Sequence, residues 1–198
     1  KKLVFVDSNT LVYGHTCVMT DFETSVYQAL AYLIESGHNQ IGLLIGQETT
    51  ADNRPLQTDP RYLSFKYFLK EKELYQPDYI RVGHFSSDSG YEMMKELIDE
   101  LGDRLPSAFF MASDALAVGA LRALQEASIP VPDRVSLISF NDTSIAKHVY
   151  PPLSAVTVYT EEMGKQALHS LVQALQRGDS DIPTMHTLAP RLPIRASR

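Results

Sequence analysis

Asp7, Arg61, Phe85, Ser113 and Asn141 are the side chains of this sequence whose types and placement suit binding of a small polar molecule. Asp7 closes the apolar run Leu3-Val4-Phe5-Val6 and has Ser8 and Asn9 beside it. A carboxylate at such a strand end can accept hydrogen bonds from ligand hydroxyls, or equally from the amides of its own loop. Arg61 falls in the first turn of a helix that opens with Asp59-Pro60, where the helix dipole disfavours a cation. Its rigid fork is therefore matched either to a polyol or carboxylate ligand or to Asp59. Phe85 follows Val82-Gly83-His84 and precedes Ser86-Ser87-Asp88. An aromatic ring among loop residues can stack on the apolar face of a sugar or on a base, or simply fill core. Ser113-Asp114 follows Ala108-Phe109-Phe110-Met111-Ala112 as a helix cap, and Asn141-Asp142 ends Val135-Ser136-Leu137-Ile138-Ser139-Phe140 in the same manner. Polar groups at the ends of several strands can converge on one crevice.

Catalytic arrangements are weaker. Neither a GxxxxGK[ST] nor a GxGxxG phosphate loop is present, and Gly83, Gly90 and Gly119 stand isolated. The six histidines lack metal-ligand spacing, and Cys17 has no partner for a metal or thiol site. His84, Ser86 and Asp88 have the residue types of a triad without a nucleophile elbow. The sharpest enzymatic rival is Phe5-Val6-Asp7-Ser8-Asn9-Thr10-Leu11, which resembles the DxDGT motif of haloacid-dehalogenase-type phosphatases. Asn9 stands where that chemistry needs a second carboxylate as acid/base, and the glycine before the threonine is missing. A metal-dependent phosphatase centred on Asp7 is retained as the alternative. The expectation is otherwise a binding protein with no catalytic residue, cofactor or metal.

The elements that must position these residues follow a β-α rhythm. Leu3–Val6, Ile41–Ile45, Tyr79–Val82, Ala108–Ala112 and Val135–Phe140 are short apolar runs ending in polar residues, as parallel strands covered on both faces read. Helical spacing joins Val26, Ala29, Leu30 and Leu33, then Tyr62, Phe65, Phe68 and Leu69, then Met94, Leu97, Ile98 and Leu101, and two more helices follow Ser113 and Thr160. Thr20 with Glu23 offers a capping box, Asp59-Pro60 a cap before a first-turn proline, and Gly37 and Gly102 helix stops. The pattern predicts a mostly parallel α/β fold with ligands at the carboxyl edge of its strands. Two stretches break the rhythm, Gln47–Arg54 and Pro151-Pro152, and each reads as a crossing between lobes or as a surface loop.

Composition sets the remaining limits. With 198 residues, 44% hydrophobic and 21% charged, the chain can bury a full core. A net charge of −6 argues against this segment itself gripping nucleic acid. One cysteine excludes an intrachain disulfide and fits the cytoplasm, and no apolar run reaches membrane-spanning length. Lys1-Lys2-Leu3-Val4-Phe5-Val6 is interrupted at Asp7, unlike a signal peptide, and a start on a strand without initiator methionine fits a fragment of a longer protein.

Several ordered segments together resemble the regulatory domain of LacI/GalR-family transcriptional repressors. They are Tyr32–Gly42 with its Gly37-His38 pair, Met111–Ala120, Ile129–Asp142, Pro152-Leu153-Ser154-Ala155-Val156 and Glu162-Met163-Gly164. Ser113-Asp114, Asn141-Asp142 and Tyr150–Ser154 are most similar to the galactose-operon and evolved β-galactosidase repressor types. The resemblance implies a periplasmic-binding-protein-like fold of two Rossmann-like lobes with parallel sheets, a sugar effector held between them, and homodimerisation. DNA would be read by an N-terminal helix-turn-helix head absent here, and the N-lobe would be incomplete. Residues 1–46 and 159–182 would form that N-lobe, and 47–158 and 183–198 the C-lobe. Position by position, Asp7 matches an acidic residue near the sugar, Arg61 the ligand-binding arginine and Phe85 the ring-packing aromatic. Ser113 stands where many members have a contacting Asn, and Asn141 where many have an Asp. A secreted sugar-binding protein shares the expected fold and is the second alternative.

Overall fold

The computed structural model describes residues 1–47, 59–178 and 182–198. They form two compact units, one of Lys1–Asp21 with Val158–Pro190 and the other of Phe22–Thr157 with Arg191–Arg198. The first holds β1 (Val4–Val6), β2 (Thr16–Thr20), α6 (Thr160–Arg177) and β8 (Met185–Leu188). Its three strands are parallel in the order β1-β2-β8, and α6 packs against β1 and β2. Cys17 and Val18 of β2 are fully buried there. The Thr20 hydroxyl, expected to cap a helix, instead donates to Met163 Sδ of α6 at 3.6 Å.

The larger unit contains α1 (Phe22–Glu35), β3 (Ile41–Gly46), α2 (Pro60–Glu71), β4 (Ile80–Gly83), α3 (Ser87–Leu101), β5 (Ala108–Met111), α4 (Asp114–Glu126), β6 (Ser136–Asn141), α5 (Ser144–His148) and β7 (Ser154–Thr157). Its five strands run parallel in the order β4-β3-β5-β6-β7. Ile41, Leu43, Leu44, Ile45, Phe109, Phe110, Leu137 and Ile138 on the three central strands are fully buried, which is why those runs are continuously apolar. The α/β fold with parallel sheets is as the sequence predicts.

The lobe boundaries are not. The expected break after residue 46 falls between units at Asp21 and Phe22 instead, because β3 pairs with both β4 and β5 and so belongs to the larger sheet. Residues 183–190, expected in the C-lobe, belong to the smaller unit because β8 pairs with β2. The chain passes between units again at Thr157 and Val158, just beyond Pro151-Pro152. Of the other proposed crossing, Gln47–Arg54, residues 48–54 lie outside the described residues.

Helix ends are set as their residues dictate. The Asp59 side chain caps α2 ahead of Pro60, and Gly37 and Gly102 take positive φ of 96° and 51° where α1 and α3 stop. Beyond α2 the Tyr62 and Tyr75 hydroxyls meet at 3.3 Å. Partial burial and this bond push the Tyr75 phenol up to about 12 from 10.0. The folded state thus holds the Tyr75 proton more tightly than the unfolded chain. The stability this provides is complete below pH 10 and is lost as pH rises toward 12. Tyr27 and Tyr91 are also raised, so a spectrophotometric titration should show Tyr75 within a late-ionising group, and Tyr62→Phe should bring one tyrosine of that group back toward its ordinary range. An unchanged late ionisation in that variant would show that burial alone holds the proton.

Candidate functional site

Strand register brings four of the five predicted residues to one edge of the larger sheet. Gly46 is paired with Gly83, and Asn141 with Thr157. Continuing the Leu44–Met111 and Phe110–Ile138 pairings past the end of β5 sets Ser113 level with Gly46 and with Asn141. Gly83, Gly46, Ser113, Asn141 and Thr157 thus lie in one row across all five carboxyl ends.

The two glycines in that row leave room for what packs over them. A Cβ at Gly46 would lie 2.5 Å from the Phe85 ring, so only glycine lets that ring rest on the strand backbone. The Arg61 guanidinium carbon lies 4.7 Å from the centroid of the same ring and 5.9 Å from those of Phe22 and Phe140. Phe22 and Phe140 are stacked with centroids 5.7 Å apart, so the arginine sits in an aromatic surround that favours a cation.

Arg61 is held in place by polar bonds as well. Its Nε and Nη2 donate to the two Asp59 carboxylate oxygens at 3.1 and 2.7 Å, and its Nη1 donates to the Ala112 carbonyl at 3.1 Å. The last bond ties α2 to the residue before Ser113. Asp59 is the compensating anion that a cation in a first turn requires. The Ser113 hydroxyl accepts from the Leu116 N–H at 3.3 Å as the cap of α4, and Ser113 is buried.

Asn141 has φ of 107° and Asp142 φ of 55°, so two successive residues turn through the region that costs a non-glycine residue energy. Three side chains, those of Thr157, Arg195 and Asp114, hold that turn. Asp142 accepts from the Thr157 hydroxyl at 2.9 Å and pairs with Arg195 at 2.7 Å. Asp114 reaches across from α4: one oxygen accepts from the Ser139 hydroxyl at 2.5 Å, the other from the Thr143 N–H and hydroxyl at 2.6 and 2.8 Å. Asp114 is 2% exposed, so its carboxylate is a structural staple rather than a group offered to a ligand.

Asp7 belongs to the smaller unit, exposed after β1 with φ of 57° and its N–H bonded to the Val18 carbonyl at 2.9 Å. The Asn9 side chain, in the second carboxylate's place of the phosphatase pattern, accepts from the Leu11 N–H at 3.3 Å within a short turn. Among the described residues no three His, Cys, Asp or Glu side chains gather as metal ligands, and no helix is long and apolar enough to cross a membrane. Sequence patterns missed Phe22 and Phe140 as members of this aromatic surround, and Gly46, whose role shows only once Phe85 lies upon it. A glycine ending an otherwise apolar strand was the available signal.

Comparison with known proteins agrees with this geometry. The family model described as a periplasmic binding protein-like domain matches residues 30–198. The chain is 54% identical over 197 residues to the HTH-type transcriptional regulator GalR of Streptococcus thermophilus, covering 100% of this chain and 59% of that protein. It is 43% identical to GalR of Lacticaseibacillus casei, covering 98% of this chain and 59% of that protein. The chain thus spans about six-tenths of the length of these curated relatives. A solved LacI family transcriptional regulator from Lactobacillus casei with bound sucrose superposes with a TM-score of 0.82 at 26% identity, over 98% of this chain and 70% of that one. The chain belongs to the periplasmic binding protein-like domain family, and the relatives and solved structures it is similar to are LacI/GalR-type transcriptional regulators.

Proposed function

We propose that this chain is the effector-binding and dimerisation part of a sugar-responsive DNA-binding repressor controlling a galactose or galactoside operon in the cytoplasm. The observation that carries the reading is the level row of strand ends, which brings Ser113 and Asn141 to one edge with the Arg61–Phe85 pair beside them. That edge offers hydroxyl, amide and guanidinium groups for sugar hydroxyls and a half-buried aromatic face for the apolar side of the ring. Asp7, on the smaller unit, is proposed separately as a contact for a ligand hydroxyl. The relatives' names and the sucrose bound by one solved regulator support a sugar effector. Operator DNA is assigned to a helix-turn-helix segment outside this sequence, in keeping with the chain's net charge of −6. Binding controls repression because the effector has unequal affinity for two arrangements of the intact, dimeric regulator.

Galactose, lactose and related sugars should raise the melting temperature of the protein, and calorimetric titration should give a saturable isotherm with at least one of them. Phe85→Ala should weaken that binding at least about tenfold, roughly 1.4 kcal/mol, while circular dichroism stays unchanged. Unchanged titration in the variant would remove this edge from the effector site. Turnover of phosphate esters that depends on Asp7 would overturn the regulator reading altogether.

A further inference from the structure

The carboxylate that grips Arg61 bears on what kind of ligand the edge accepts. Asp59 caps α2 by accepting from the Arg61 backbone N–H at 2.8 Å, and its two oxygens fill the Nε and Nη2 side of the guanidinium. A guanidinium has five N–H donors. Among the described residues two are committed to Asp59 and one to the Ala112 carbonyl, which leaves two. Arg61 and Asp59 are equally shielded, with side chains 17% and 19% exposed, so their charges cancel at the same depth. Beside Asn141, the Asp142 carboxylate is likewise neutralised by Arg195. Ser113 and Asn141 carry no charge.

We propose that Asp59 makes this edge selective for uncharged polyhydroxyl ligands and turns away their phosphorylated or carboxylated counterparts. The proposal rests on the effector-site reading above and deepens it. A sugar hydroxyl needs only one donor or acceptor at a time, and the two remaining Arg61 N–H groups and the Asp59 lone pairs supply both. A phosphate group seeks a bidentate guanidinium fork. Here it finds one fork filled and meets a like charge on Asp59. Displacing Asp59 would strand a half-buried carboxylate without its cation. Phe85, Phe22 and Phe140 surround the guanidinium and favour its place beside Asp59.

The test is calorimetric titration of the full chain and of Asp59→Asn with galactose, lactose and galactose 6-phosphate. Asparagine caps a helix as well as aspartate does, so α2 is kept while the charge is removed. Asp59→Ser, which also caps, serves if the first variant does not fold. The unmodified chain should bind a neutral sugar and bind galactose 6-phosphate at least about tenfold more weakly, and the variant should narrow or invert that ratio by about tenfold or more. A ratio that is the same in both proteins, or a preference for the phosphate in the unmodified chain, overturns the proposal alone. Binding of no sugar by the unmodified chain overturns the effector-site reading and the proposal with it.

Discussion

Gly119→Ala should lower the stability of this protein by about 3 kcal/mol, because the single added carbon has nowhere to go. It would stand 1.8 Å from the Ser87 carbonyl oxygen and 2.6 Å from the Tyr91 nitrogen, both backbone atoms of α3 that no rotamer change can move. The contact is reciprocal. A Cβ at Gly90 of α3 would lie 2.2 Å from the Leu116 carbonyl oxygen of α4. The two helices therefore touch backbone to backbone, and parting them opens voids around the buried side chains of Met93, Met94, Leu97, Leu116 and Ala120. Either substitution forces the same separation, so Gly90→Ala with Gly119→Ala should cost clearly less than the sum of the two. Urea denaturation of the three variants measures this. A Gly119→Ala midpoint indistinguishable from the unmodified protein would show that the helices separate freely.

Asp114→Ala should cost about 3 kcal/mol and also weaken effector binding, although Asp114 touches no ligand in the proposed site. Its carboxylate satisfies the buried Ser139 hydroxyl together with the N–H and hydroxyl of the exposed Thr143, and alanine leaves the Ser139 hydroxyl without it in a buried place. Thr143 follows the Asn141-Asp142 turn, whose two positive φ angles persist only while the surroundings enforce them. With the staple gone the turn relaxes and the backbone that places Asn141 is no longer fixed. Asp114→Asn keeps one carbonyl acceptor and should recover part of the stability. The informative readout is affinity relative to melting temperature. A variant that melts early yet binds as before would separate the staple from the site.

Much of this was legible in the sequence because it rests on local rules. Apolar runs marked five of the strands to within a residue of their ends, and Asp59-Pro60 marked the start of α2. The strands that escaped were β2, β7 and β8. Thr16–Thr20 and Met185–Leu188 mix polar with apolar residues, and Met185 is itself exposed, so neither shows the continuous apolar run of a central strand. The lobe boundary was misplaced for a related reason. Nothing in Ile41–Gly46 states which sheet it joins, since pairing with β4 and β5 is decided by residues far along the chain.

Within the candidate site, residue types were legible and their employments less so. Arg61 read as a residue in need of an anion or a ligand, and Asp59 is that anion, filling the Nε and Nη2 side of its fork. Asp114 read as a cap next to Ser113, whereas its side chain spans to β6 and beyond. Gly90 and Gly119 carried no phosphate-loop pattern, and their purpose emerges only where two helices cross. Each is a case in which a long-range contact, absent from any window of sequence, decides the role.

The level row of strand ends also sets how such a protein can diversify. Ser113, Asn141 and Thr157 are adjacent in space but lie on three separate βα junctions. The junctions are not independent: the Thr157 hydroxyl holds Asp142 beside Asn141, whereas the Ser113 hydroxyl bonds within its own helix cap. In the proposed site a replacement at Thr157 therefore also loosens the turn that carries Asn141, and a change of ligand preference there is expected to come with a compensating change at the neighbouring junction. A replacement at Ser113 alters the cap of α4 instead. Gly46 and Gly119 tolerate neither kind of change, because a Cβ at either one runs into its neighbours.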